Sequence, residues 1–446
     1  MIAALALGLW VRARPQRAVL LLATLLPYDG LLLLVPHPNI VEGWKEGLVV
    51  LAVGGAVIAP SASRRDDRGF RAPWAVPLLG LFALAVVSVA TTDTRVGLLG
   101  LKVTLFYAVL PFALWRCPLT ARDRDRLVTI LMVNAGITAA FGLVQQLLGG
   151  ERLNRLGFDW NTALRTAGGR LRSISTFNQP FPFAFFVTMA VLIGLSVALA
   201  DPRRRRNRLF LWATPMMIAG MSTAIVRGAI LALAIGIVYL AISRFRGLVH
   251  LGVLGVAGLL LVPGGAFKVF TSSTSLGQRQ SGWSSTVELI VERPLGWGLG
   301  TVGAAGEKAW PLPDDTTPRF NLPISMVPYQ PDNQYIAIGL QLGVLGLSCF
   351  LLIVAGAYAH ARREARRTDG PDAALAHGIA ASVLGAAVAG LVATYWEIFP
   401  LDLYFWMLLG VLLSISNPSS TTPSRSGPGA VASRPTSDTS LAPSPV

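Results

Sequence analysis

Charge is the first thing this sequence is short of. Only 14% of its 446 residues are Asp, Glu, Lys or Arg, while 53% are apolar; soluble domains carry about 25% charged residues. Cysteine is almost missing. Cys117 lies at the end of one apolar run and Cys349 inside another, too far apart along the chain's organisation for a disulfide, so no redox argument follows. Histidine is scarce and scattered: His37, His250, His360 and His377 do not have the spacing of a ligand set, and no metal centre is expected. There is no HExxH, no Walker loop and no GxSxG elbow, which sets aside the zinc-hydrolase, P-loop and serine-hydrolase chemistries. Acidic pairs are equally uninformative. Asp314-Asp315 sits in a Pro-rich stretch and reads as a solvated turn, and Asp123-Arg-Asp125 falls in a basic loop that topology explains.

What the chain has instead is long apolar runs. A bilayer core about 30 Å thick needs roughly 20 apolar residues per helix, and about twelve such runs recur at 18–36, 43–60, 73–91, 96–115, 127–149, 181–200, 209–225, 226–243, 247–266, 334–359, 373–394 and 399–416. The expected fold is therefore all-α: a polytopic integral membrane protein with a long extracytoplasmic loop between helices 9 and 10. The opening 1–17 has its charges after its short apolar run, the wrong order for a cleavable signal, and reads as an interfacial lead-in on the cytoplasmic side. Residues 18–266 hold the first nine helices, with an outer loop at 150–179. The 267–333 segment is the large outer loop, 334–416 the last three helices, and the Pro/Ser/Thr-rich 417–446 a cytoplasmic tail unable to bury a core.

The formal net charge of +15 suggests a nucleic-acid partner until the arginines are located. They mark every second connection: Arg12, Arg14 and Arg17; Arg64 to Arg71; Arg122 to Arg126; Arg203 to Arg208; Arg244 and Arg246; Arg362 to Arg367. Short basic loops stay in the cytoplasm. That alternation puts both termini on the cytoplasmic side of the membrane and makes the lipid bilayer, not nucleic acid, the partner of these charges.

Three outward regions carry charge this rule does not ask for. They are 150–179 with Arg170 and Arg172, Arg227 at the start of the eighth run, and 267–333 with Arg279, Arg293 and Asp332. A guanidinium presents a planar fork of donors suited to phosphate oxygens. Asp29 and Lys102 fall inside apolar runs, where buried charges are usually paired; either they form a structural pair or they line a cavity. Within the last outer region, Gly298-Leu-Gly300-Thr-Val-Gly303 matches the dinucleotide glycine fingerprint in form. The fingerprint requires a strand before it and a helix after it, and the Pro-rich continuation has no helical period, so it reads as a loop.

Four motifs in order carry a resemblance. "STFNQPFPFAFF" with Asn178, "STAIVRGAILAL" with Arg227, "RQSGWSSTVELIVERPLGWGLGTVG" with Arg279, Trp283 and Arg293, and "DNQYIAIGLQLGVLGL" with Asn333 and Tyr335 resemble the O-antigen ligase and O-antigen polymerase superfamily. The likeness is strongest over 170–350. It implies an outward-facing membrane glycosyltransferase acting on an undecaprenyl-diphosphate-linked glycan donor, with a glycan or lipid acceptor and no cofactor or metal. Carried over position by position, it implies Asp332, Arg279 and Arg227 as catalytic residues, with Asn178, Trp283, Asn333 and Tyr335 binding substrate; the outward Arg170, Arg172 and Arg293 would add to the substrate contacts. Asp332 stands where family ligases have a histidine, which favours a polymerase over a ligase. A helix N-cap is the alternative role for Asp332 and Asn333, and a secondary transporter the alternative from another class.

Overall fold

The computed structural model describes residues 11, 14–59, 70–160, 163–245, 247–248, 286–309 and 331–416. Helix α1 (Gln16–Leu25) runs on into a 3-10 segment, Leu26–Leu34, followed by α2 (Trp44–Ile58), α3 (Ala75–Thr91), α4 (Thr94–Leu105), α5 (Leu110–Arg116) and the long α6 (Ala121–Arg155). A hairpin of β1 (Arg165–Ala167) and β2 (Arg170–Arg172) leads to α7 (Pro180–Ala200), α8 (Arg205–Ser222) and α9 (Arg227–Ser243). Residues 286–292 are helical, and α10 (Gly303–Ala309), α11 (Gln334–Arg367), α12 (Gly370–Ala389) and α13 (Leu401–Ile415) complete the described chain.

Helices occupy eleven of the twelve apolar runs; the remaining one, 247–266, lies outside the described residues apart from its first two positions. Among the described residues, six helical stretches are long and apolar enough to cross a membrane: Gln16–Leu34, Thr94–Arg116, Ala121–Arg155, Pro180–Ala200, Gln334–Arg367 and Gly370–Ala389. Helices α3, α9 and α13 are apolar but shorter.

The centre is α7, whose sequence PFPFAFFVTMAVLIGLSVALA is apolar on every face. Such a helix has no polar side to turn outward and belongs inside a bundle. Nearly all of it is buried, as are α12 and α13. Glycine makes the close approaches: a Cβ at Gly378 of α12 would stand 2.7 Å from the Ile193 backbone of α7, and one at Gly236 of α9 would meet Leu192. Apolar attraction adds little between helices already in lipid, so contact of this kind is what holds them together. Helix α3, by contrast, exposes Val76, Leu79, Phe82 and Val87, as a lipid-facing surface does.

The connections sort into two sets at opposite ends. At the arginine-rich end, Arg124 reaches Asp372 and the Leu119 carbonyl (2.7 Å). There too Arg204 and Arg206 grip Asp125, and Gln16 donates to Pro118. Thr120 caps α6 by accepting from the Asp123 amide and donates its hydroxyl to the Asp123 carboxylate, which also meets Arg14 and Arg126, so both carboxylates of the Asp123-Arg-Asp125 pair are spent on arginines and the capping threonine. At the other end Thr176 donates to Pro27, the Ser173 amide to Thr223, the Leu299 amide to Ser88, and Asn333 to Leu391.

Three expectations need correction. Asp29 and Lys102 do not pair: Asp29 accepts from Trp44 Nε1 at 2.8 Å and meets Lys45 at 3.4 Å, whereas Lys102 meets Glu46 at 2.8 Å. The first turn of α2 offers a lysine and a glutamate side by side and intercepts both. The 150–179 region is not simply a loop, because α6 continues to Arg155 past a break at Gly149 and the hairpin follows. A short helix, α10, also does follow the glycine run, although what precedes that run is the helical 286–292 and not a strand. Cys117 and Cys349 are free thiols.

Candidate functional site

The end remote from the arginine clusters is organised by a break in α11. Gly343 has φ +66°, so the helix divides into a half-helix, Gln334 to Leu342, and a longer second part. A break inside an apolar helix frees backbone groups that lipid cannot satisfy. Here the glycine run satisfies them: the Trp297 amide donates to Leu340 O (2.7 Å), the Gly298 amide to Gln341 O (3.1 Å), and the Val344 amide to Pro294 O (3.0 Å). That fit needs glycine on both sides. Gly296, Gly298, Gly300 and Gly303 all have positive φ, a Cβ at Gly343 would strike Pro294 O, and one at Gly300 would strike Val96 O. The glycine fingerprint is thus a packing signature: its backbone amides are turned into a helix break and not toward a pyrophosphate.

Glu397 joins this assembly and was missed in the sequence. It lies in the 3-10 turn Tyr395–Glu397, outside both α12 and α13. Its Oε2 accepts from the Ala304 amide (3.2 Å), and its Oε1 from Gln334 Nε2 (3.2 Å) and Gln341 Nε2 (3.3 Å). The two amides are oriented by the backbone, since Gln334 Oε1 takes the Trp396 N–H (2.9 Å) and Gln341 Oε1 the Gly300 N–H (2.7 Å). Burial pushes the Glu397 carboxyl up to about 7, against the lowering effect of its three donors. The available signal was a lone acid between aromatics in Tyr395-Trp396-Glu397-Ile398-Phe399, joining the last two apolar runs.

Asn333 caps α11, its Oδ1 accepting from the amides of Tyr335 (2.9 Å) and Ile336 (3.1 Å) while Nδ2 donates to Leu391 O (3.1 Å). The cap role foreseen for this pair therefore falls to Asn333, and Asp332 stands half-buried one residue before it. Tyr335 donates its hydroxyl to Ala387 O at 2.6 Å.

The arginine group is built on the hairpin. Gly168 and Gly169, at φ +57° and +74°, make its turn, a glycine pair suited to the twist of a tight hairpin. Arg165 stands directly opposite Arg172 in the register; like charges so placed repel, and an anion bound between them would relieve this. Arg165 and Arg170 are exposed, and Arg172 donates Nε to Ala224 O (3.1 Å) with its guanidinium 5.1 Å over the Phe181 ring. The hairpin thereby docks on the turn 223–226 that immediately precedes Arg227, the first residue of α9. Two strained residues flank these motifs, Ser175 (φ +55°) and Ile225 (φ +52°). A β-branched residue at positive φ is a true outlier, and such strain concentrates at functional sites. Gln145 holds Ser175 in place by accepting from its amide at 2.7 Å and donating to its carbonyl at 2.9 Å.

The two groups meet. Gly228, next to Arg227, lies so close to Val392 that an added Cβ would be 2.7 Å from its side chain, and the neighbouring Leu391 holds Asn333. One wall formed by 390–397 thus touches both Arg227's helix and the Asp332 segment. Asn178 is exposed at the start of α7. Arg293 is exposed and stacks on Trp297, 3.9 Å from the ring centroid, at the outer edge of the glycine run. Arg279, Trp283, Asp314 and Asp315 lie outside the described residues.

No curated protein matches the chain. A family model described as O-antigen ligase matches residues 183–351. That segment runs from α7 through Arg227 and the glycine run to the part of α11 beyond its break, and leaves out the hairpin and Glu397. Over residues 183–351 the chain is thus similar to the O-antigen ligase family, in agreement with the resemblance its motifs carry.

Proposed function

We propose that this protein is a membrane glycosyltransferase that polymerises an undecaprenyl-diphosphate-linked oligosaccharide on the outer face of the bacterial cytoplasmic membrane. The observation carrying this reading is the convergence just described: the hairpin, Arg227 and Asp332 gather at the end of the bundle opposite the basic connections. By the positive-inside rule the basic end is cytoplasmic, which leaves the converging groups outside, where a lipid-linked donor is presented.

The chemistry follows from the residue types. An acceptor sugar hydroxyl attacks the anomeric carbon of the donor, the bond from that carbon to the diphosphate oxygen breaks, and the hydroxyl proton passes to the Asp332 carboxylate. Undecaprenyl diphosphate leaves, and a single displacement inverts the anomeric centre. Arg227 and Arg279 fork onto the diphosphate oxygens, stabilising charge that grows in the transition state, so the reaction needs no metal. Arg170 and Arg172 extend the same field from the hairpin, and Asn178 lines the approach. Tyr335 and Asn333, whose polar groups are committed to the backbone, shape the acceptor side rather than bond to it. Arg293 with its Trp297 stack, and Trp283, border the sugar-binding loop.

A ligase that moves the finished glycan onto a lipid or protein acceptor would use the same machinery. The deciding experiment is mass analysis of products after purified protein meets a lipid-diphosphate-linked oligosaccharide in liposomes. A ladder of repeat units on one lipid is expected. Single transfer to an added acceptor would make the protein a ligase, and no product with any acceptor would overturn glycan transfer.

A further inference from the structure

The reaction just proposed uses nothing in the 390–400 connection, yet Glu397 there is a buried acid held by three N–H donors beside the site. Its three donors come from two separate pieces of chain: the Ala304 amide at the end of the glycine run, and Gln334 and Gln341 in the first and last turns of the half-helix. Gln334 and Gln341 point their amide nitrogens at it because their oxygens are already taken by Trp396 and Gly300 amides. The position at 397 therefore faces N–H donors and must offer acceptors. Gly303 leaves room for it, since a Cβ there would collide with the carboxylate.

The consequence is geometric. The half-helix is only nine residues long, cut off by Gly343 from the rest of α11. Its far end is held by the glycine run, and its near end by Asn333 on Leu391 and by Gln334 on the Glu397 turn. Asp332 is two residues from Gln334. A single carboxylate thus ties both ends of the half-helix to the loop that packs against it.

We propose that Glu397 is a positioning residue, latching the Gly296–Gly303 run to the Gln334–Leu342 half-helix and so fixing where Asp332 stands for proton transfer. This rests on the glycan-transfer reading for its part in turnover, while the latch itself is independent of that reading.

The test combines backbone hydrogen exchange with turnover, on the full-length protein in liposomes at pH 8. Glu397→Gln places an N–H donor among N–H donors, and Ala304→Pro removes one donor without touching Glu397, at a first-turn helix position where proline is tolerated. Both variants are expected to speed exchange at residues 297–304 and 334–342 at least tenfold while α7 and α12 stay protected. Both should lower kcat at least tenfold with the donor KM changed less than twofold, and Glu397→Asp should keep more kcat than Glu397→Gln. Unchanged exchange in both variants overturns the latch, and faster exchange with unchanged kcat overturns its part in positioning Asp332. Loss of protection throughout the bundle in both variants would make Glu397 a residue of general stability and overturn the proposal. Should the unaltered protein make no glycan product, the transfer reading falls alone and the exchange result still decides the latch.

Discussion

At the scale of single residues, some side chains hold the site together and others are proposed to act in it. Asn333 is occupied by its cap and Tyr335 by Ala387 O, and Asp332 stands half-buried beside them. Asp332→Ala should therefore abolish transfer, by a factor of about 10² or more as expected for loss of a general base, with the protein still folded and inserted; product formation in liposomes and thermal midpoint in detergent read the two separately. Arg227 differs from a lysine in geometry and not in charge. Arg227→Lys should lower kcat about tenfold or more, because a point charge cannot fork onto two phosphate oxygens, and full activity would remove the bidentate contact from the mechanism. These residues stand out in the sequence because their types are out of place: arginines in connections expected to face outward, an acid next to a helix start. Glu397 does not, since one acid among aromatics in a turn looks ordinary until Gln334 and Gln341 on the half-helix and Ala304 after the glycine run are seen to converge on it.

At the scale of elements, apolar runs gave helix positions well, and what the runs could not reveal is where helices break. Gly343 sits in Ile338-Gly-Leu-Gln-Leu-Gly343-Val, where glycine is unremarkable because membrane helices use it freely. Only the arrival of Pro294 O and the Trp297 and Gly298 amides shows why that glycine alone turns positive in φ. The hairpin had a local signal, the Gly168-Gly169 pair between short alternating runs, but strands of three residues carry too little pattern to stand out. Gly343→Ala should cost about 1–3 kcal/mol, since it combines a left-handed backbone with a Cβ driven into Pro294 O; a lowered thermal midpoint checks this. The Glu397 turn adds a pH dependence. Its carboxyl is raised from 4.5 to about 7 in the fold, so the folded chain binds this proton more tightly than the unfolded one. The stability it lends is complete below pH ~4.5 and is lost as pH rises through about 7, by an amount on the order of 3 kcal/mol. The thermal midpoint should fall between pH 5 and 8, and Glu397→Gln should flatten that part of the profile.

At the scale of the whole molecule, the alternation of basic connections and the sorting of contacts are two independent observations, and they agree. Arg124, Arg204 and Arg206 meet Asp372 and Asp125 at one end. The hairpin, the 223–226 turn, the glycine run and the 390–397 wall meet at the other. Charge pattern fixes only which loops share a side. It does not say that loops sharing a side touch, which depends on the close approaches of Gly228, Gly300 and Gly303 that no single apolar run announces. Sidedness itself is open to direct test. With Cys117 and Cys349 replaced by serine, single cysteines at two exposed arginines, Arg170→Cys on the hairpin and Arg203→Cys between α7 and α8, report opposite ends. A membrane-impermeant maleimide applied to intact spheroplasts should label the first and spare the second until the cells are opened. The reverse pattern would put the converging groups in the cytoplasm, away from a donor carried on the outer leaflet, and would exclude outer-face glycan transfer whatever the in vitro activity.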